Sequence, residues 1–280
     1  MLEFRRLSKH TGVEAIGVDL KSRLDDDTKH ELYRAFVDHC VILFRNQTLS
    51  ETELVEATRN FGKVPDYVRP KALQASGQAK LPTQIMLITN IREDGKPIGA
   101  LPDGEMWFHH DMIHTPLPHK ATLLYSVQIP THGGNTRFSN LFAAYDALPD
   151  DLKHFLEGKK ARNTFRYNSA TRDDDKALKA VSEAVHPVVV THEDTGRKAL
   201  YVDRLMTHRI LDIAQDESDT VLEHLFDHVE KPEFIYDHQW RPGDVVMWDN
   251  RSSIHAREDF PADQIRLMWR TNVAGTSVPA

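Results

Sequence analysis

One cysteine, Cys40, stands in 280 residues, so neither an internal disulfide nor a cysteine-based zinc site can form. A reducing, cytoplasmic setting is therefore expected. Long apolar runs are also missing: the longest, Cys40–Phe44, is far short of a membrane span. The opening MLEFRRLSKH has no apolar core that would make a signal peptide. Excess positive charge is absent too, since 35 basic residues face 42 acidic ones and the formal net charge is −7. Neither a nucleic acid nor an anionic membrane is an expected partner on that balance. No repeat, low-complexity tract or Pro/Gly/Ser linker divides the chain, and one domain over residues 1–280 is expected. Apolar residues at 40% and charged residues at 28% exclude wholesale disorder.

The patterns that are present describe a mainly β protein with α insertions. Asp25–Asp27 can cap a helix whose apolar face carries Leu32, Phe36 and Val37. Cys40–Phe44 reads as a buried strand. Ser50 and Glu53 form a capping-box pattern before Leu54, Ala57 and Phe61, with Gly62 as the stop. Pro149–Gly158 and Asp216–Val229 read as further helices. Strands are expected at Thr122–Pro130, Gly243–Trp248 and Ile265–Val273, and a hairpin over His186–Val202 around Asp194-Thr195-Gly196. Short strands with helices between them suit a double-sheet jelly roll, a double-stranded β-helix supported by helices.

Histidine is over-represented, with 16 residues, and most of these are expected on the solvated surface. WFHHDMIH (Trp107–His114) is the densest cluster. His109 and Asp111, two apart on an extended segment, point to one face and His110 to the other. An imidazole nitrogen and a carboxylate oxygen aimed at one point are what a metal needs. The alternative pair His110/His114, four apart as in helical zinc sites, is opposed by Pro116 and Pro118. Downstream, GDVVMWDNRSSIHAR places His255 just after a buried strand. Arg266 and Arg270, four apart on the next strand, share a face and need anionic partners, whether structural carboxylates such as Asp249 or Glu258 or a ligand. His109, Asp111 and His255 together would form the two-histidine, one-carboxylate facial triad of non-haem Fe(II) oxygenases. Its open positions can take a bidentate 2-oxo acid and then O2, and the planar arginine fork suits a distal carboxylate.

With these motifs in place, the sequence resembles the taurine dioxygenase / 2,4-dichlorophenoxyacetate dioxygenase family of 2-oxoglutarate-dependent Fe(II) enzymes. The matching stretches are FHHD (Phe108–Asp111), the Gly133–Thr136 turn, AAYDALPDDL (Ala143–Leu152), KPEF (Lys231–Phe234), GDVVMWDNRSSIH (Gly243–His255) and RLMWR (Arg266–Arg270), with VILFRNQTLS and NFG near the start. They run in order over nearly the whole chain. The resemblance implies a cupin-like jelly roll that binds Fe(II) through His109, Asp111 and His255. It implies that Arg266 and Thr136 hold the distal carboxylate of 2-oxoglutarate, and that Arg270 faces an acidic group of the substrate. It further implies hydroxylation of a small, anionic organic molecule by O2 with release of succinate and CO2, ending in C–S, C–O or C–N cleavage where a heteroatom is adjacent. A homodimer or homotetramer is the expected assembly. His110, His114 and His119 match no family role. Tyr67 and Glu105 stand where the taurine enzyme holds its substrate, and Tyr67–Gly104 is the expected lid. Two rival readings remain: a non-catalytic jelly roll holding an anion between the arginines, and a zinc hydrolase using the same triad.

Overall fold

The computed structural model describes residues 2–67, 81–100, 104–166 and 180–280. Two antiparallel sheets dominate. The larger has seven strands in the order β1 (Glu3–Arg6), β2 (Val13–Ile16), β3 (Val41–Phe44), β16 (Val245–Asp249), β8 (Ala121–Gln128), β18 (Leu267–Val273) and β4 (Met86–Thr89), with one parallel pairing, β2 to β3. The smaller has four, in the order β15 (Ile235–His238), β9 (Thr136–Asn140), β17 (Ser253–Arg257) and β7 (Met106–His109). Alongside these lie the hairpin of β5 (Arg92–Glu93) and β6 (Lys96–Pro97), the three-stranded set of β10 (Lys160–Arg166), β11 (Ala180–Pro187) and β14 (Thr207–Ile210), and the hairpin of β12 (Val189–Thr191) and β13 (Lys198–Leu200). Neighbouring strands come from distant parts of the chain, as expected of a jelly roll.

The sheets face each other, and strand alternation decides what lies between them. Trp248 of β16 lies 5.4 Å, ring to ring, from Phe138 of β9 and 4.6 Å from His255 of β17, so its indole bridges the two sheets. On the opposite face of the large sheet, Ile42, Phe44, Leu123 and Val245 pack against Leu32 and Phe36 of α1 (Asp26–His39) and Leu54 of α2 (Glu51–Arg59). Each such fully buried side chain contributes roughly 1.5–3 kcal/mol. Outside the small sheet, Leu141 and Phe142 of α3 (Leu141–Asp146) share a core with Leu156 of α4 (Asp150–Leu156) and Leu222, Leu225 and Phe226 of α5 (Gln215–Val229).

Local signals hold closely. Asp25 caps α1 by accepting from the Thr28 amide, and Ser50/Glu53 forms a complete capping box. Cys40 is the left-handed C-cap of α1 rather than a strand residue. α2 stops at Arg59, so Phe61 is buried beyond the helix rather than on it. His186–Val202 is not one hairpin: His186 and Pro187 pair with β10, and only Val189–Thr191 pairs with Lys198–Leu200. Among the described residues no helix is long and apolar enough to cross a membrane.

Candidate metal and cosubstrate site

His109 is the last residue of β7, and β17 brings His255 directly opposite it, with the imidazole rings 4.1 Å apart. Asp111 follows His109 where the chain leaves the sheet, and Met112 at φ 64° turns it sharply. The His109 Nδ1–H donates to the Trp107 carbonyl at 2.8 Å, which leaves the Nε2 lone pair for other use. That Nε2 lies 4.0 Å from Asp111 Oδ1, and His255 Nε2 lies 3.9 Å from the same oxygen. These gaps are too long for hydrogen bonds and within the span of two metal–donor bonds of about 2 Å each. All three residues are buried, their donor atoms lie within 4.8 Å of one another, and theirs is the one such cluster among the described residues. Burial lowers the pKa of both imidazoles, that of His255 far below its ordinary value with His109 adding to the effect. Both are neutral near pH 7, the state a metal ligand requires. For Asp111 burial works the other way and is overcome by Arg270 and the two imidazoles, which hold it ionised well below the usual carboxylate range. The donor set therefore fits a divalent iron.

Several supporting residues have no motif of their own. Thr122 on β8 donates to Asp111 Oδ2 at 2.6 Å, and Asn250 and Asn272 donate to the Thr122 hydroxyl at 3.1 and 2.8 Å. One carboxylate oxygen is thereby fixed and the other presented to the histidines. Only long-range strand pairing creates this set, so spacing could not reveal it.

Arg266 and Arg270 behave differently. With Met268 they share one side of the β18 segment, since the bulge between Leu267 and Met268 leaves the extra residue, Val127, in the partner strand. Arg270 reaches Asp111 Oδ1 at 2.7 Å. Arg266 is 2% exposed, its Nε has no hydrogen-bond partner, and no carboxylate among the described residues pairs with it. Burial, and then Arg257, push its pKa down to about 9. The structural partners open to it do not serve: Asp249 binds His192 and Arg251 instead. The turn leading to Thr136 cradles it. Gly133 and Gly134 have φ +73° and +67°; a Cβ on Gly133 would lie 2.7 Å from the Asp259 carbonyl oxygen, and one on Gly134 would lie 3.4 Å from Arg266 Nε. Thr136 is buried, and its hydroxyl accepts from Trp240 Nε1 at 3.0 Å. A buried cation without an anion is costly, and an anionic ligand here would offset that cost.

The histidines depart most from expectation. His30, His132, His154 and His224 are exposed, whereas eight are buried: His109, His110, His114, His186, His192, His228, His238 and His255. Most of the buried ones are structural hydrogen-bond partners, as His192 is to Asp249 at 2.8 Å and His228 to the Ala144 carbonyl at 2.8 Å. His110 turns away from His109 and bonds Asp203 at 2.9 Å, while His114 bonds Ser182 at 2.6 Å, so these two form no pair. His119 is half-buried in the field of Arg270 and Asp111. Glu105 accepts from Trp107 Nε1 at 3.3 Å on the exposed side. Of the expected lid, residues 68–80 and 101–103 lie outside the described residues, while Met86–Thr89 is not lid but strand β4 at the edge of the large sheet, followed by the β5–β6 hairpin.

Comparison with known proteins accords with this geometry. The profile of the family described as "Taurine catabolism dioxygenase TauD, TfdA family" matches residues 3–272. The chain is 32% identical to the alpha-ketoglutarate-dependent 2,4-dichlorophenoxyacetate dioxygenase of Cupriavidus pinatubonensis, over 95% of this chain and 95% of that protein. It is 31% identical to pentalenolactone F synthase of Streptomyces avermitilis, over 92% of this chain and 89% of that one. The solved structure of a taurine dioxygenase from Burkholderia xenovorans superposes with a TM-score of 0.82 at 28% identity, covering 100% of this chain and 92% of the other.

Proposed function

Since the chain belongs to the TauD, TfdA family and is a 2-oxoglutarate-dependent dioxygenase of a small organic substrate, we propose that His109, Asp111 and His255 hold its Fe(II), that Arg266 and Thr136 receive the distal carboxylate of 2-oxoglutarate, and that Arg270 receives an acidic group of the primary substrate. The convergence of His109 Nε2 and His255 Nε2 on one Asp111 oxygen carries this reading. Bound iron supplies, with 2-oxoglutarate and O2, the oxidation of a C–H bond to C–OH as succinate and CO2 leave.

The protein's part is placement. Thr122 and the Trp107 carbonyl fix the orientation of the carboxylate and of one imidazole before any ion arrives. Arg266 offers a two-pronged, dry contact for a planar carboxylate at one end of the site. Arg270 is joined to Asp111 Oδ1 at 2.7 Å, which puts its guanidinium beside the triad, where it would meet and select a negatively charged substrate. Hydroxylation beside a heteroatom would then break the C–S, C–O or C–N bond. The reading includes a single domain over the whole chain and a homo-oligomer in solution. Succinate release and O2 consumption, screened against sulfonates, sulfate esters, phosphonates, aryloxy acids and amino-acid derivatives, test it. Turnover confined to acidic compounds supports the role of Arg270. A preference for neutral compounds, or turnover without 2-oxoglutarate, contradicts the reading.

A further inference from the structure

We infer that Arg257 is a second cationic residue of the 2-oxoglutarate pocket, acting with Arg266 on the distal carboxylate and setting the preference for a dianionic over a monoanionic 2-oxo acid. The inference rests on the assignment of Arg266 to that carboxylate.

Three observations on different elements carry it. Arg257 lies two residues after His255 on β17, and strand alternation puts both side chains on one face. In the pairing with β9, which is regular here, Arg257 stands directly opposite Thr136. Residues so placed on adjacent strands carry their side chains on the same side, with Cβ atoms about 4.5–5.5 Å apart. The guanidinium is also close enough to Arg266 to be the main charge acting on it, while Arg257 itself is only 9% exposed. Two buried guanidiniums and a hydroxyl thus converge. Like charges repel at this range, and a carboxylate, which accepts at about four lone-pair sites, serves both at once.

Two further contacts of Arg257 bear on its direction of approach. It donates to the Gly104 carbonyl, and its guanidinium carbon lies 5.8 Å from the centre of the Phe260 ring. Gly104 and Phe260, with Asn90, Asp259, Pro261 and Ala262, line a cavity of about 530 Å³, and the Asn90 side chain accepts from the Arg266 backbone amide at 3.0 Å.

Calorimetric titration of the Mn(II)-loaded protein with 2-oxoglutarate and with 2-oxopentanoate, which has the same chain length and no distal carboxylate, tests the inference. Arg257→Met should weaken 2-oxoglutarate binding roughly 10- to 100-fold, the loss of one charge-assisted hydrogen bond, and leave 2-oxopentanoate within about twofold. Arg257→Lys should recover part of the loss, and it carries the test with Arg257→Gln if the methionine variant does not fold. Equal weakening of both acids would make Arg257 a structural residue only, and no weakening of either would remove it from the pocket; both overturn the inference. Arg266→Met keeps the two assignments apart. If it too leaves the discrimination between the acids intact, the parent assignment is wrong. If it abolishes the discrimination while Arg257→Met does not, only the role of Arg257 falls.

Discussion

Arg270 reaches across from the large sheet to hold Asp111 Oδ1 at 2.7 Å, the same oxygen on which His109 and His255 converge. Arg270 is the largest opposite charge acting on Asp111, and the triad would present the same oxygen to a divalent cation.

Arg270→Ala should destabilise the metal-free protein, because it leaves a buried carboxylate without its cation, a loss of about 3–5 kcal/mol. Mn(II) should restore most of the difference, so the metal-induced rise in Tm should be larger in the variant than in the parent. Thermal denaturation with and without Mn(II) checks this. Equal Tm values in the metal-free state would show that the pair contributes nothing.

Thr122→Val keeps the shape of the side chain and removes the hydroxyl that holds Asp111 Oδ2. Outer partners of this kind are worth about 10- to 100-fold in metal affinity. Competition of Mn(II) with a chelating dye should show a loss in that range with the fold intact. Unchanged affinity would mean that Asp111 needs no such support.

How much of this could be read from the chain depends on the range of the interactions. Caps are local: Asp25 and Ser50 announce their helices because each bonds an amide three residues on. His109 and Asp111 are legible because two-residue spacing means one face, and Arg266 and Arg270 share a face for the same reason. Thr122, Asn250 and Asn272 meet only after three distant segments are paired, and Arg257 acquires a meaning only once β9 sets it opposite Thr136. The histidines misled composition-based reading, because burial is set by partners such as Asp203 and Asp249 that sequence distance hides.

Arg266→Ala should weaken 2-oxoglutarate binding by roughly two to three orders of magnitude, on the cost of breaking a buried ion pair. Lysine should rescue it only in part, since it keeps the charge and loses the fork. Arg270→Ala should leave that affinity nearly intact, weaken the acidic substrate, and raise the fraction of succinate released without product. Titrations of 2-oxoglutarate against both variants check the division, and equal losses would refute it.

His114 gives a dependence of stability on pH. Burial lowers its pKa to about 4 in the folded chain, against an ordinary value of 6.5. Between those values the unfolded chain binds the proton and the native one does not, so stability falls as pH drops from about 6.5 to about 4 and levels off below. His114→Gln should flatten that slope by up to one proton, as measured by Tm against pH. An identical slope would show that His114 titrates normally.

The central claim is that His109, Asp111 and His255 make one iron site that chelates a 2-oxo acid. Anaerobic addition of Fe(II) and 2-oxoglutarate to the intact protein, followed by visible absorption, tests it most directly. A weak charge-transfer band should form with one iron per chain and be lost in His109→Ala and in His255→Ala, each still folded by circular dichroism. A band of full intensity in both variants would contradict the account.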